Sequence, residues 1–351
     1  NNSLRGRDYI NIHDLSSEDF RYLIDLAWNL KAQKKSGVDQ RYFPGKNVLA
    51  NFEWGSTRTR CAFETSCNDL GMGFTYLTNS HMGDCETVKD AMRVFNGMYD
   101  LIVYRAQKDE QFLYDVADLV DIPVINALTL GDHPTQMLAD ALTMEEQWGG
   151  LRTSRGKKML SLATAPAPGV DGRLCAMLDM DFLAIGPDDL RHQMCKEMIE
   201  EVEACYAKYA PNRTFTITSD LDALDGVDVI VTEEWRYINP ECGEEVLDPD
   251  DYNSWLGDAE SLYPYRVTSE LCKRTNNPDI FCMHELPSVH NADHRVGKML
   301  LDQCKNDLHR EIITEAEIAD ECFEANASVI FREAENRQHT IKAVMCALLG
   351  L

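Results

Sequence analysis

The sequence lacks several features that would assign it at once to a class of protein. Its twelve cysteines form no C-x-x-C pair and no regular framework, so they are predicted to be free thiols. It has no run of about 18 apolar residues and no signal-peptide pattern, so neither a membrane span nor secretion is supported. A cytoplasmic location is expected. Import into an organelle stays open, because a presequence before Asn1-Asn2-Ser3 would be invisible here.

Positive charge is scarce. The chain has 34 Lys and Arg against 59 Asp and Glu, a formal net charge of −25. Such a surface repels nucleic acid and anionic membranes, and neither is an expected partner. An anionic substrate would have to be bound by locally placed arginines and backbone N–H groups. No G-x-G-x-x-G follows a predicted strand, which argues against a dinucleotide-dependent dehydrogenase.

What the sequence does contain is a regular alternation of short apolar runs with segments of helical period. This pattern predicts an α/β chain with two doubly wound parallel-sheet domains. The predicted domains are residues 1–149, residues 150–327 and a C-terminal helix, 328–351, packing back on the first domain. The strands are predicted at Asn47–Glu53, Phe74–Leu77, Asp100–Arg105, Pro123–Leu128, Met159–Ala163, Phe182–Ile185, Thr214–Thr218, Val229–Thr232 and Ile280–Met283.

Two helices and one loop complete this prediction. Pro134–Trp148 is predicted to be a helix that ends at Gly149-Gly150, and Arg191–Tyr209 a helix of the second domain. The acidic, turn-rich interval Pro240–Tyr263 is either a substrate-side loop or a solvated surface excursion.

The first strand is followed by Ser56-Thr57-Arg58-Thr59-Arg60, at the point where a helix is predicted to begin. A helix N-terminus offers unsatisfied N–H groups and the positive end of the helix dipole, and hydroxyls and guanidinium groups add donors for phosphate oxygens. The segment predicts an anion site. The alternative is an ordinary N-cap with surface arginines.

Other polar residues follow the ends of further predicted strands. Arg105 ends one strand, and Asp132-His133-Pro134-Thr135-Gln136 follows the next. His284-Glu285-Leu286-Pro287 follows a strand of the second half, and Arg337 lies in the last helix. Ligands of doubly wound sheets bind beyond the carboxyl ends of strands, so we expect these residues to face a cleft between the domains. His133 and Gln136 would there polarise a carbonyl group, unless they are a structural histidine and a helix-surface glutamine.

Taken in order, these motifs resemble the aspartate and ornithine carbamoyltransferases. The resemblance implies a homotrimer with active sites near subunit interfaces, and no metal or organic cofactor. It implies Arg105, His133 and Gln136 as catalytic residues, with the Leu286 carbonyl facing the carbamoyl nitrogen. The loop His81–Glu86 would help to complete a neighbouring subunit's site. The residues implied in carbamoyl phosphate binding are Ser56, Thr57, Arg58, Thr59, Arg105, His133, Gln136, Leu286 and Arg337.

The resemblance is closer to the ornithine branch, and it implies an acceptor site at Glu233, Trp235, Glu285 and Leu286. Three departures concern this second substrate. Glu233, Trp235 and Tyr237-Ile238-Asn239 stand where relatives carry Asp, Trp and Ser-Met-Gly. Glu285 replaces a Cys, and the stretch Ala163–Pro168 replaces a Gly-Asp and an Asn.

Ornithine, giving citrulline, is therefore the predicted acceptor. Putrescine, an N-acylornithine, lysine, aspartate and a catalytically silent binding protein remain alternatives, and the physiological direction is open.

His290 and His294 stand four residues apart with Asp293 between them, a pattern that can indicate a metal site. Because no third ligand of suitable spacing is evident, the sequence favours a solvated helix face instead.

Overall fold

The structure is a computed structural model that describes residues 3–162, 167–188, 194–235, 259–302, 304 and 306–351. Two compact units make up the chain. The first unit consists of Asn1–Glu146 and Ala334–Leu351, and the second of Gln147–Glu333. Each unit contains one parallel sheet with helices, so the predicted α/β class is confirmed.

The sheet of the first unit has four parallel strands in the order β2-β1-β3-β4. They are β1 (Asn47–Phe52), β2 (Gly73–Leu77), β3 (Leu101–Arg105) and β4 (Val124–Leu128). Five of the six residues of β1 are buried, as expected for a strand covered on both faces. The N-terminal segment runs along β4, where Tyr9 forms a parallel bridge with Ile125.

Five helices follow the predicted alternation in this unit: α1 (Ser17–Lys35), α2 (Thr57–Leu70), α3 (Val88–Met98), α4 (Glu110–Ala117) and α5 (Pro134–Gln147). Side-chain caps explain where three of them begin. Ser16, Thr87 and Asp109 each accept a hydrogen bond from the backbone N–H three residues later. A 3₁₀ turn, Ile12–Asp14, precedes α1.

The sheet of the second unit has five parallel strands in the order β7-β6-β5-β8-β9. They are β5 (Lys158–Ser161), β6 (Asp181–Ile185), β7 (Phe215–Thr218), β8 (Val229–Thr232) and β9 (Phe281–His284). The described strands of both sheets agree with the predicted ones to within two residues at each end.

In the described part of the second unit, the helices before the last one are α6 (Ala167–Met177), α7 (Lys196–Tyr209), α8 (Ser269–Lys273), α9 (Arg295–Asp302) and α10 (Asp307–Thr314), with a 3₁₀ turn at Tyr263–Tyr265. Helix α6 packs closely, because a Cβ at Gly172 would lie 2.8 Å from a methyl carbon of Val202 on α7. The start predicted for α7 at Arg191 and most of the predicted loop Pro240–Tyr263 lie outside the described residues.

The last helix, α11, spans Asp320–Leu349 and begins earlier than residue 328, where the sequence placed it. Its first half belongs to the second unit and its second half, from Ala334, to the first. No helix in the described part of the chain combines the length and apolar character needed to cross a bilayer.

The strand orders place the polar motifs at two switch points. In the first sheet the order of strands switches sides between β1 and β3: β2 lies on one side of β1, and β3 and β4 lie on the other. In the second sheet the same switch lies between β5 and β8. Ligands of open α/β sheets bind beyond the carboxyl ends of the strands at such points. The turn at Ser56, the side chain of Arg105 and the segment after β8 are therefore where this rule expects them.

Candidate active site

The N-terminus of α2 has the features of an anion site. Ser56 is the N-cap residue, and its hydroxyl makes no capping hydrogen bond to the helix. No acidic residue occupies the first turn of this fourteen-residue helix, so the positive end of its dipole is not neutralised there. Thr57 is exposed, Ser56 and Arg58 are partly exposed, and Thr59 is buried.

Arg60 faces away from this group. Its guanidinium Nε lies 3.7 Å from a carboxylate oxygen of Glu64, and its Cζ lies 4.3 Å above the ring of Tyr76. The five-residue motif read from the sequence therefore separates into four residues at the helix start and one arginine on the outer face of α2.

Arg337 is the centre of the hydrogen-bonding arrangement in the first unit. This buried arginine reaches back from α11. Its Nη1 donates to Gln136 Oε1 at 2.6 Å, and its Nη2 donates to the hydroxyls of Thr59 and Thr135, each at 3.1 Å. A planar guanidinium suits such a fork, which a lysine could not reproduce. Three motifs that are distant in sequence thus meet at one side chain.

The charges of two arginines act on His133. The ring is partly buried in the turn before α5, and burial lowers the pKa of His133 well below its usual 6.5, with the charges of Arg337 and Arg105 lowering it further. The imidazole is therefore neutral at neutral pH. Arg105 ends β3, and its guanidinium Cζ lies 5.0 Å above the ring of Trp54.

Both the oxygen and the nitrogen of the Gln136 side-chain amide form hydrogen bonds. Its amide oxygen accepts from Arg337, and its Nε2 donates to Asp140 Oδ1 at 2.8 Å. In this arrangement Gln136 orients the arginine.

A second set of residues, which the motifs did not reveal, fixes the helix that carries Arg337. Asn336 accepts from Lys31 Nζ at 2.7 Å and donates to Thr143 at 2.8 Å and Glu146 at 3.0 Å. Lys31 also pairs with Glu146 at 2.7 Å. The period of α1 could have identified Lys31 as a cation on a buried face. Its partners come from α5 and α11, more than 100 residues away, and no local signal indicates them.

In the second unit, the turn after β9 is organised by a buried carboxylate. Glu317 Oε1 accepts from His284 Nε2 at 3.0 Å, from the Ser288 hydroxyl at 2.9 Å and from the Val289 N–H at 2.6 Å. Burial by itself would raise the pKa of Glu317, but these hydrogen bonds outweigh it and hold the pKa below its usual 4.5. The sequence motifs did not identify Glu317.

The same turn fixes the tautomer of His284 and the backbone of Leu286. The N–H of Leu286 donates to His284 Nδ1 at 2.9 Å, so the ring proton lies on Nε2, facing Glu317. Leu286 has φ 60°, a left-handed conformation that an L residue adopts only at a cost of about 1 to 3 kcal/mol. Surroundings that hold such a conformation are a common feature of binding sites.

Two of the residues predicted to bind the acceptor carry carboxylates. Glu233 and Glu285 are both partly exposed. Glu285 lies near a buried carboxyl: burial raises the pKa of Asp171 to about 7, the charge of Glu285 adds to the rise, and the Ser161 hydroxyl at 2.7 Å opposes it. The second unit thus gathers negative charge close to the turn after β9.

Trp235 has a different environment from the one expected. Its side chain is 4% exposed and packs in a hydrophobic cluster with residues that include Leu262 and Ile312. The structure gives Trp235 a core-packing role, and the predicted substrate contact stays a prediction. Tyr237-Ile238-Asn239 and Ala163–Pro166, two of the noted departures, lie outside the described residues.

Two further predicted features can be located. The loop His81–Glu86 forms a compact, exposed turn in which the Gly83 N–H donates to the Glu86 carbonyl at 2.7 Å. His294 Nδ1 accepts from the Gly297 N–H at 3.1 Å, whereas His290 lies 2.7 Å from Asp320. The sequence spacing showed no third ligand near His290, but α11 brings Asp320 and Glu324 close to it.

The chain has two parallel α/β units. In the first, a helix start without acidic residues lies close to a neutral histidine and a forked arginine, an arrangement suited to an anionic ligand. Comparison with known proteins makes this more specific. Residues 7–146 match the family model of the aspartate/ornithine carbamoyltransferase carbamoyl-P binding domain, and residues 171–348 that of the Asp/Orn binding domain. The chain belongs to this family, and the resemblance inferred from the motifs is confirmed.

The relatives lie on the ornithine branch. An ornithine carbamoyltransferase of Staphylococcus aureus is 37% identical over 99% of both chains, and a catabolic ornithine carbamoyltransferase of Clostridium perfringens is 38% identical over 99% of both. Among solved structures, ornithine carbamoyltransferase from Pyrococcus furiosus superposes with a TM-score of 0.80 at 26% identity, covering 99% of this chain and 98% of that one.

Proposed function

We propose that this chain transfers the carbamoyl group of carbamoyl phosphate to the side-chain amine of L-ornithine, giving L-citrulline and phosphate. The observation that carries the proposal is the Arg337 fork on Thr59 and Gln136, next to a helix N-terminus without acidic residues. The names of the full-length relatives support ornithine as the acceptor.

The donor half of the reaction requires an anion site and donors for a developing oxyanion. Ser56, Thr57, Arg58 and Thr59 would hold the phosphate, and Arg337 would complete its neutralisation. The neutral amine attacks the carbamoyl carbon, a C–N bond forms, and the carbonyl oxygen becomes negative. The C–O bond to phosphate then breaks, phosphate leaves with that electron pair, and the proton that the amine gives up passes to the leaving phosphate.

Arg105 and His133 would stabilise the oxyanion, with Gln136 positioning the arginine. A neutral imidazole still has one ring N–H, which can donate a hydrogen bond to the developing oxyanion. Losing one such donor typically costs about 10² to 10³ in rate. The Leu286 carbonyl, held in its left-handed turn by His284, would accept from the carbamoyl NH₂ group.

Negative charge supports a cationic acceptor. Glu233 and Glu285, both partly exposed, would attract the charged ammonium form of the substrate. The same carboxylates raise the pKa of the amine and oppose its deprotonation. Because Glu285 stands where relatives carry Cys, another cationic amine is the second candidate: putrescine, lysine or an N-acylornithine. Aspartate is disfavoured by repulsion.

The test measures phosphate release from carbamoyl phosphate with ornithine, putrescine, N-acetylornithine, lysine and aspartate in parallel. Ornithine is expected to give the highest kcat/KM. Turnover with aspartate alone would contradict a cationic acceptor. Tight binding of a bisubstrate phosphonate without turnover of any amine would indicate a silent binding protein instead.

A matched pair of variants tests the donor site. Arg58→Gln is expected to lower kcat/KM for carbamoyl phosphate by about 10² to 10³. Arg60→Gln, on the same helix but directed at Glu64 and Tyr76, is expected to change it by no more than a few-fold. Equal losses in both variants would mean that the phosphate does not bind at the start of α2.

A homotrimer in which the loop His81–Glu86 completes a neighbouring site forms part of the proposal. Its support is the exposed, compact turn that this loop makes. Sedimentation velocity, with activity followed on dilution, tests it: a monomer of undiminished specific activity would refute the shared site.

A further inference from the structure

Three cysteine thiols that no motif connects meet in the second unit. Cys272 lies on α8, Cys282 on β9 and Cys322 on α11, separated by ten and forty residues in sequence. The Sγ of Cys272 lies 3.7 Å from each of the other two, and all three sulfurs lie within 4.8 Å of one another. They form a triangle of sulfur atoms.

The size of this triangle matches the requirement of a metal ion. Zinc–thiolate bonds of about 2.3 Å place two sulfurs of a tetrahedral or trigonal centre about 3.8 to 4.0 Å apart. Two of the sulfur separations here already agree with that value to within a few tenths of an ångström. Soft thiolate ligands select zinc, copper(I) and similar thiophilic ions over hard cations.

The backbone holds the three residues in place. Asn326 accepts from the Cys282 N–H at 2.8 Å and donates to the Cys322 carbonyl at 2.8 Å, so one side chain fixes the strand and helix positions together. The Cys272 N–H donates to the Thr268 carbonyl at 2.9 Å, and the Thr275 hydroxyl donates to the Cys272 carbonyl at 2.7 Å. Ligands on rigid elements bind a metal without a large ordering cost.

The cluster can be reached from outside. Cys282 and Cys322 are buried, but Cys272 is partly exposed and borders an open cavity of about 370 Å³. The other residues that line the cavity are Lys273, Asn276, Asn277, Pro278 and Ile280. An ion entering there would meet Cys272 first, and a water molecule in the cavity would complete its coordination.

We propose that Cys272, Cys282 and Cys322 form a three-thiolate site for one thiophilic metal ion of the zinc, cadmium and copper(I) class. The ion would join α8, β9 and α11 and so stabilise the second unit. This site is separate from the proposed transfer reaction and does not depend on it. The competing explanation is simple packing, since buried cysteines behave as small apolar side chains.

The experiment titrates Cd²⁺ into the reduced, tag-free full chain under nitrogen, against a competing chelator. One equivalent is expected to bind and to produce the ultraviolet absorption of cadmium thiolates. Cys272→Ser, Cys282→Ala and Cys322→Ala should each weaken binding by more than the roughly 10- to 100-fold that loss of an outer-shell partner costs. Cys175→Ala is the matched control, a buried cysteine of the same unit whose Sγ lies 3.5 Å from Met159 Sδ.

Cadmium NMR of the unmodified chain counts the sulfur ligands and decides the question even if a variant fails to fold. A shift typical of three sulfurs supports the proposal, and a shift typical of two or fewer overturns it. Unchanged affinity in all three variants also overturns it, as would binding traced to the surface pair Cys85 and His81, whose Sγ and Nδ1 lie 3.3 Å apart.

Discussion

Burial lowers the pKa of His133, and the charge of Arg337 is predicted to lower it further. Two substitutions separate this effect of the charge from the geometry of the arginine fork. Arg337→Met removes both the charge and the hydrogen bonds, whereas Arg337→Lys keeps the charge and loses the fork. In the Met variant the pKa of His133 is expected to rise towards 6.5, since one of its two neighbouring cations is gone. It should stay below 6.5, because burial is the larger cause of the lowering. In the Lys variant it should change little.

The stability change follows from the contacts of Arg337. The hydroxyls of Thr59 and Thr135 lose a donor but keep their own O–H groups for hydrogen bonding, whereas Gln136, only 2% exposed, loses a charged donor at 2.6 Å. A hydrogen bond to a charged group contributes about 1.5 to 3 kcal/mol. Arg337→Met is therefore expected to reduce the free energy of unfolding by about this amount.

The lowered pKa of His133 makes the stability of the folded chain depend on pH. His133 has a lower pKa in the folded chain than in the unfolded chain, so on the acid side of 6.5 the unfolded chain binds more protons. The histidine therefore makes the folded chain less stable as the pH falls below 6.5. In Arg337→Met this loss of stability with falling pH should be smaller.

Two assays measure these effects independently of activity. NMR titration of the imidazole signal, assigned with His133→Asn, gives the pKa in the three chains. Guanidinium unfolding at a series of pH values gives the stability. The reasoning is refuted if the His133 pKa is the same in the wild type and Arg337→Met, or if it rises equally in Arg337→Lys.

Three further predictions concern the supporting residues. Glu317→Gln is expected to lower the free energy of unfolding by about 1 to 3 kcal/mol in urea. It should also abolish the part of the wild-type stability that is present above pH 4.5 and lost as the pH falls through the lowered pKa of this carboxyl. Glu285→Gln should bring the pKa of Asp171 below about 7 in a carboxyl infrared titration, and raise KM for cationic acceptors. Asn336→Ala should destabilise the first unit by about 1 to 3 kcal/mol in thermal unfolding, because Thr143 and Lys31 lose a partner.

A defined result would contradict each of these three predictions. Parallel stability curves for the wild type and Glu317→Gln at acid pH would show that this carboxyl is not ionised in the fold. An unchanged Asp171 titration would show that Glu285 points elsewhere. A fully stable Asn336→Ala chain would mean that the Lys31–Glu146 pair alone fixes this part of α11.

The strands were predictable because parallel strands buried on both faces are short apolar runs, and each polar motif was predictable because it follows such a run. The strand orders were not. Nothing in the local sequence states that β3 returns to the far side of β1, or that β8 lies beside β5. The helix start at Asp320 was also missed, although Asp320 and Glu321 place acidic side chains in its first turn, where they favour a helix start.

The features of the candidate site also divide into those that the sequence indicated and those that only the structure revealed. By itself the sequence identified the family, and it predicted an anion site at Ser56–Thr59 with Arg105, His133 and Arg337 as further site residues, because these are local patterns. Only the tertiary structure decided that Arg60 lies over the ring of Tyr76, that Trp235 packs in a hydrophobic cluster, and that Glu317 organises the turn after β9.

The three-cysteine cluster is a feature that depends entirely on the tertiary structure. Its members are ten and forty residues apart on a helix, a strand and a second helix, and only packing brings their sulfurs together. The local sequence determines which side chains each helix or strand carries. Which side chains become neighbours depends on how buried apolar surfaces fit against one another, and that is a property of the whole chain.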